Sequence, residues 1–441
     1  MSQGERTVGE FRGVLDRGQA GREMYALVEE LYPLCRSITG DGVRETLRRV
    51  AAHADLKMHE VPTGTPVFDW TVPKEWNIRD AYVKNARGER IIDFKASSLH
   101  VVSYSAPVRT RLSLSELRER VFTLPAHPEW TPYRTSYYRE SWGFCAPHRL
   151  MAGLDDGEYE VCIDSTLAPG SLTYGECYLR GATEDEVLLS CHVCHPSLAN
   201  DNLSGIAVAA FLAGLLAKAS LRYSYRLLFI PGTIGSITWL ATNEATVSRI
   251  RHGLVLACVG DGGEPTYKKS RRGDAEIDRV VGLALRERGG GHRIEEFTPY
   301  GYDERQFCSP GFNLPVGCLM RTPHGRFPEY HTSGDNLDLV RPEALADSLN
   351  TCLTVIDMLE SNRTFVNQSP KGEPQLGKRG LYGSVGGLAS AGRDEMTMLW
   401  VLNLSDGRHS LLDIAERSGC SFAAVKAAAG ALEQVALLRE V

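Results

Sequence analysis

The stretch Ser190-Cys191-His192-Val193-Cys194-His195-Pro196-Ser197-Leu198-Ala199-Asn200-Asp201-Asn202-Leu203-Ser204-Gly205 decides how this chain is read. An apolar run of strand length, Val187-Leu188-Leu189, precedes it, and a longer one of helix length, Ile206 to Leu216, follows. The polar residues between them therefore form a strand-to-helix loop. His192 ends the strand, and Asp201, nine residues on, stands before the helix. Open α/β sheets bind their ligands at this place, beyond the carboxyl ends of the strands. Imidazole nitrogen with carboxylate oxygen is a zinc-type donor pair.

Downstream the alternation continues. Strands are predicted at 187–191, 226–230, 254–259, 293–297 and 316–320, and helices at 203–218, 236–242, 274–288 and 342–359. Upstream, 22–35 and 43–54 are apolar at helical spacing and lead to a strand near 57–61. The pattern predicts an α/β domain, a mainly parallel sheet flanked by helices, assembled from residues 21–65 and 176–365. Residues 66–175 differ. They hold Trp, Tyr, Pro and short alternating runs such as Leu99-His100-Val101-Val102-Ser103-Tyr104, the texture of a β-rich inserted domain. A Pro/Gly/Lys linker at 366–379 leads into residues 379–441, where helical patterns at 395–403, 411–418 and 422–432 and an apolar 435–438 predict a winged-helix-like domain.

Bulk properties exclude several classes. With 43% hydrophobic and 24% charged residues the chain is an ordinary globular protein, and 441 residues allow roughly three domains at about 150 each. Net charge is −6 without a long basic run, which argues against nucleic acid and membrane surfaces as partners. The tail 375–441 carries seven basic residues (Lys378, Arg379, Arg393, Arg408, Arg417, Lys426, Arg439) and seven acidic ones (Asp394, Glu395, Asp406, Asp413, Glu416, Glu433, Glu440), so its helix-turn-helix pattern lacks the electrostatic footprint of DNA binding. The longest apolar stretch, 205–217, is shorter than the ~20 residues that span a bilayer. With a polar start and 11 scattered cysteines, a reduced cytoplasmic protein is expected. Homo-oligomerisation stays open.

Four residues on one rim are candidate metal ligands: His192, Asp201, Asp261 in Gly260-Asp261-Gly262-Gly263, and His331 in Glu329-Tyr330-His331-Thr332-Ser333-Gly334-Asp335-Asn336. Singly, each has the alternative of a cap or turn group, as Asn202 and Ser204 have of helix N-caps. Together they point to a metal site. His195 has three readings: ligand, orienting partner or proton shuttle. Cys191 and Cys194 have a Cys-x-x-Cys spacing, but no second pair follows as in a zinc ribbon. Asp303 and Arg305 are candidates to hold a substrate's amino and carboxylate groups, with a surface ion pair as the alternative.

His192, Asp201-Asn202-x-Ser204-Gly205, Asp261 and Tyr330-His331-Thr332 resemble the motifs of co-catalytic zinc aminopeptidases, which have a phosphorylase/hydrolase-like α/β fold. The His-x-Cys-His-Pro run, Asn200 to Gly205, the β insertion, Asp303-Glu304-Arg305-Gln306-Phe307 and the tail are similar to a bacterial aminopeptidase-like family with a winged-helix C-terminus. The resemblance implies one or two zinc ions, with Asp201 bridging or serving one, His192 and Asp261 completing the first site and His331 belonging to the second. It leaves His195 and Tyr330 to the substrate side. It also exposes a gap. Where those enzymes carry glutamates this chain reads Pro231-Gly232-Thr233, so Gly232 stands in place of the catalytic acid. A general base is worth about 10²–10⁴-fold. Glu329 ranks first as its substitute, ahead of Glu264 and His195. The expected activity is that of a zinc-dependent amidohydrolase or aminopeptidase-like enzyme acting on a small aminoacyl or peptidyl substrate, biosynthetic intermediates among them. The alternatives are a non-catalytic binding protein and a metal-assisted acyl transfer or cyclisation.

Overall fold

The apolar run before the loop lies at the centre of the main sheet in the computed structural model, which describes residues 6–381 and 391–441. Eight strands build this sheet: β1 (Lys57–Pro62), β2 (Ser171–Leu179), β3 (Glu186–His192), β4 (Ser224–Ile230), β5 (Ile250–Leu256), β6 (Thr266–Lys268), β7 (Arg293–Glu295) and β8 (Val316–Met320). Their order is β1-β2-β4-β3-β5-β8-β6-β7. The four central strands, β4-β3-β5-β8, are parallel. Antiparallel pairings join β1 and β2 on one side and β6 on the other. Every residue of β3 and β4 is buried, as a sheet covered on both faces requires. In their register His192 pairs with Ile230, so Pro231-Gly232 leaves the sheet beside His192.

The helix Gly205–Leu216 is apolar around its whole circumference and packs on β3, β5 and the helix Arg17–Leu31. It begins at Gly205, two residues later than the periodicity predicts. Over Ala199–Ser204 the backbone turns irregularly, with Asp201 (φ −110°, ψ 81°) and Asn202 (φ −144°, ψ 35°) outside helical geometry. The reason is competition for hydrogen bonds: the Asn200 and Asp201 amides donate to a side chain, Asp335, instead of to a helix ladder. Gly205 is required by a close approach, since a Cβ there would lie 2.5 Å from the Leu256 carbonyl oxygen.

Two local expectations need correction. β5 ends at Leu256, three residues before the predicted end, and Cys258 turns the chain at φ 50°. β6 has only three residues, too few for periodicity to reveal, and is fixed by its pairing with β8. The β-rich stretch forms a four-stranded antiparallel sheet in the order Arg90–Asp93, Glu75–Lys84, Glu158–Ala168, Val108–Ser113, around a core that includes Ala81, Val83, Phe144, Val161 and Ile163. Leu99-to-Tyr104 is a short 3-10 turn with isolated bridges, not a strand. β2 belongs to the main sheet although it starts at Ser171.

Residues 280–289 and 354–441 form a second unit. Its antiparallel sheet, Asp406–Ser410, Thr364–Asn367 and Leu438–Glu440, accompanies the helices Ala391–Leu404, Leu411–Ser418 and Phe422–Gln434, the composition of a winged helix. Leu411–Ser418 has unambiguous ends: a capping box between Ser410 and Asp413, and Gly419 in the left-handed conformation.

Gly205→Ala is expected to lower stability by about 1–3 kcal/mol, because the clash is with backbone that cannot rotate away. Thermal unfolding of the variant measures this; an unchanged melting temperature would show that the loop and β5 move apart freely.

Candidate active site

Four donors converge on the carboxylate of Asp201, which is fully buried. His192 Nε2 lies 2.8 Å from Oδ1, and the Tyr302 hydroxyl donates to the same oxygen at 2.8 Å. His331 Nε2 lies 3.0 Å and His195 Nδ1 3.1 Å from Oδ2. Each element delivers its group from a different place in the chain: His192 from the end of β3, His195 and Asp201 from the following loop, Tyr302 and His331 from loops flanking β8. The ligand atoms of His192, His195 and Asp201 all lie within 4.8 Å of one another, close enough to hold one metal ion.

Neighbouring groups hold these side chains in place. Asp335 accepts the amide N–H groups of Asn200 (2.6 Å) and Asp201 (2.9 Å), fixing the backbone that carries the central carboxylate. The Asn202 side-chain amide lies 3.3 Å from His192 Nδ1 and donates to the Leu256 carbonyl at 2.9 Å. Arg36, buried in the N-terminal segment, donates through Nε to the His195 carbonyl at 3.0 Å. Two tyrosines cover two imidazoles face to face: Tyr302 on His192 at 4.4 Å between centroids, and Tyr330 on His331 at 4.0 Å. Tyr133, from the β-rich stretch, meets both His195 and His331 edge-on.

The electrostatics follow from burial opposed by one charge. Burial would raise the Asp201 carboxyl, but the imidazoles of His195 and His192 outweigh it and hold the group well below the usual range. Burial also pushes His192 down, to about 4, against the pull of Asp201. A neutral imidazole is the form that ligates metal. His331 moves down for the same reason. At His195 burial is overcome by Asp201, and the imidazole ends well above its ordinary value.

Two sequence-predicted residues lie elsewhere. Asp261 does not join the cluster: its Oδ1 accepts from Thr322 Oγ1 (2.7 Å) and the Gly263 amide (2.6 Å), and its Oδ2 from Asn200 Nδ2 (2.9 Å) and the Thr322 amide (3.1 Å). Because β5 ends early, Cys258 is the residue at the rim, with its sulfur 3.5 Å from the Tyr302 hydroxyl. The Glu329 carboxylate makes no hydrogen bond or ion pair to the Asp201 cluster among the described residues. Its carbonyl instead accepts from the Thr332 hydroxyl, and the left-handed turn at His331 (φ 56°) carries the imidazole inward alone. His195, expected on the substrate side, is a member of the donor group, whereas Tyr330 reaches the site as the cover of His331. Cys191 and Cys194 are buried and unpaired.

Beside His192 the backbone passes close at Gly232. A Cβ there would lie 3.0 Å from His192 Cβ and 3.7 Å from Asp303 Oδ1. Asp303 is fully buried; its Oδ1 accepts from the Ser236 hydroxyl at 2.7 Å, and its Oδ2 has no partner. Burial pushes its carboxyl up to about 7, against the Ser236 hydrogen bond. The half-buried Arg305 also has an unpartnered Nε. Tyr302, Asn202 and Tyr133 carry no sequence signal as supports of the cluster, whereas Asp335 reads as an orienting partner of His331 or a turn residue and in fact accepts the Asn200 and Asp201 amides.

A family profile described as "Domain of unknown function (DUF4910)" matches residues 25–362. The chain belongs to the DUF4910 family. A winged helix-turn-helix profile matches residues 363–440 of this DUF4910 protein. It is 53% identical over 97% of its length to a Clostridium acetobutylicum protein provisionally named a polysaccharide biosynthesis protein with an aminopeptidase-like domain, 98% of which is covered. A crystal structure of a provisionally named peptidase from Clostridium acetobutylicum matches with a TM-score of 0.93 at 51% identity, covering 98% of this chain and 99% of the other. A zinc aminopeptidase from Bacillus subtilis matches with a TM-score of 0.56 at 14% identity, over 76% of this chain and 94% of that one. The fold of the DUF4910 region is thus that of the aminopeptidases.

Asp335→Asn is expected to cost about 1–3 kcal/mol, since an amide accepts through one oxygen only and leaves a buried N–H of the 200–201 segment unsatisfied. Denaturant unfolding checks it; wild-type stability would mean that the loop holds its shape without the clamp.

Proposed function

We propose that this DUF4910 protein is a zinc-dependent amide hydrolase of the aminopeptidase type, acting on a small aminoacyl or peptidyl substrate. The observation that carries this reading is the convergence of His192, His195 and His331 on the two oxygens of Asp201. Three imidazoles around one carboxylate are nitrogen and oxygen donors of the kind zinc takes; His192 is buried and its second nitrogen is met by Asn202, while His195 and His331 are partly buried. His192, Asp201 and His331 would hold the metal, with His195 a further donor, and one or two ions suit the two sides of the carboxylate. Asp261 acts through Asn200, whose side chain it binds, as a positioning residue. Zinc held there would polarise the scissile carbonyl as a Lewis acid.

The remaining roles fall to the chain itself. Arg305 has donors to spare for a carboxylate or other anion on the substrate, recognised in bidentate fashion. Tyr302 holds Asp201 and His192 in one geometry, and Tyr330 shields the His331 ring. The Clostridium relative is named for polysaccharide biosynthesis, which supports a biosynthetic intermediate as the substrate. No nucleic-acid role is proposed for the tail, whose positive and negative residues balance.

Elemental analysis of purified protein should find zinc, and Asp201→Ala should lose it while keeping its circular dichroism spectrum. A panel of aminoacyl and acyl amides, half of them carrying a free carboxylate, should show cleavage by the zinc-loaded wild type alone. Zinc retained by Asp201→Ala would overturn the ligand assignment. A zinc-loaded wild type that binds a panel member without cleaving it would overturn hydrolysis.

A further inference from the structure

Amide hydrolysis needs a group that takes a proton from water and returns it to the leaving nitrogen. Most carboxylates around the cluster are already committed. Asp201 receives three imidazoles and a phenol, Asp335 two backbone amides, and Asp261 four donors. Glu304, also buried, is ion-paired with Lys268. Asp303 is fully buried, and its Oδ2 meets no hydrogen-bond partner among the described residues; the Glu304 oxygens also lack a hydrogen bond, but Lys268 neutralises that carboxylate. A buried polar atom left unsatisfied calls for an explanation, and a catalytic role is one.

Its place supplies that explanation. Asp303 Oδ1 is 3.7 Å from where a Cβ on Gly232 would stand, and that same point is 3.0 Å from His192 Cβ. Gly232 is partly exposed, and a side chain there would press on His192, so the backbone beside His192 and Asp303 stays bare. The carboxylate is also held firmly. Ser236, on the helix that starts just after Gly232, donates to Oδ1 at 2.7 Å. The preceding residue, Tyr302, is fixed by its stack on His192 and its bond to Asp201.

We propose that Asp303 is the catalytic proton acceptor and donor of this site, acting beside Gly232 and His192. This rests on the hydrolase reading above. Asp303 takes a proton from the attacking water as the C–O bond forms, and delivers it to the amide nitrogen as the C–N bond breaks. The products are a carboxylic acid and an amine, and no further reactant is consumed.

The test compares wild type, Asp303→Asn and Asp303→Glu on an amide that the wild type cleaves, with zinc affinity measured by competition titration in the same preparations. Asp303→Asn is expected to lose about 10²–10⁴-fold in kcat, with zinc affinity within a few fold of wild type; Asp303→Glu keeps part of the activity. Asp303→Asn with wild-type kcat would overturn the role, and so would loss of zinc, which would make Asp303 a ligand. If Asp303→Asn fails to fold, Asp303→Glu decides alone: its basic group reaches one methylene further, so kcat should fall while zinc affinity stays, and an unchanged kcat overturns the role. A zinc-loaded wild type that cleaves nothing in the panel overturns the hydrolase reading, and this role with it.

Discussion

A single buried carboxylate that must be neutralised organises the functional half of this protein. Asp201 has no solvent to stabilise its charge, so each of its lone pairs needs a donor. Satisfying it draws in side chains from the end of β3, the loop after it and two loops around β8. The same demand shapes the backbone. The 199–204 segment gives up regular helical geometry, and its amides are met by Asp335. Arg36 and Tyr133 then fix His195 and His331 from segments that contribute nothing to the donor set itself.

Much of this was legible in the sequence where the signal is local. The strand and helix around His192 and Asp201 follow from apolar runs of different length, and the α/β alternation followed from repeats of that pattern. Residues 316–320 and 411–418 have the predicted bounds because each lies between clear stops. What was not legible depends on partners far along the chain. The end of β5 is set by the turn at Cys258, whose amide donates to Asn202 Oδ1, and apolar character alone carries the strand reading three residues too far. That displacement moves Asp261 from the rim to the Asn200 side chain. Glu329 shares a loop with His331, but adjacency in sequence says little about direction when the chain passes through a left-handed residue.

The composition of the site bears on its chemistry in the hydrolase reading. The donor group contains three imidazoles and one acid. Neutral imidazoles, the form that burial favours at His192 and His331, cancel none of a dication's charge, so a metal there would keep more of its electron demand than among several carboxylates. Arg305 acts electrostatically on Asp303, and in this reading a substrate with an anionic end suits it.

The bond between Asp201 and His331 joins residues 130 positions apart, and the clamp from Asp335 to Asn200 spans 135. Closing loops of that length is entropically costly and is rewarded only once the strands between them have paired. The donor cluster is therefore expected to form late in folding. A chain emerging from the ribosome carries His192 and Asp201 long before it carries the residues that aim them, and a fragment cut between 205 and 330 keeps the motif without the site.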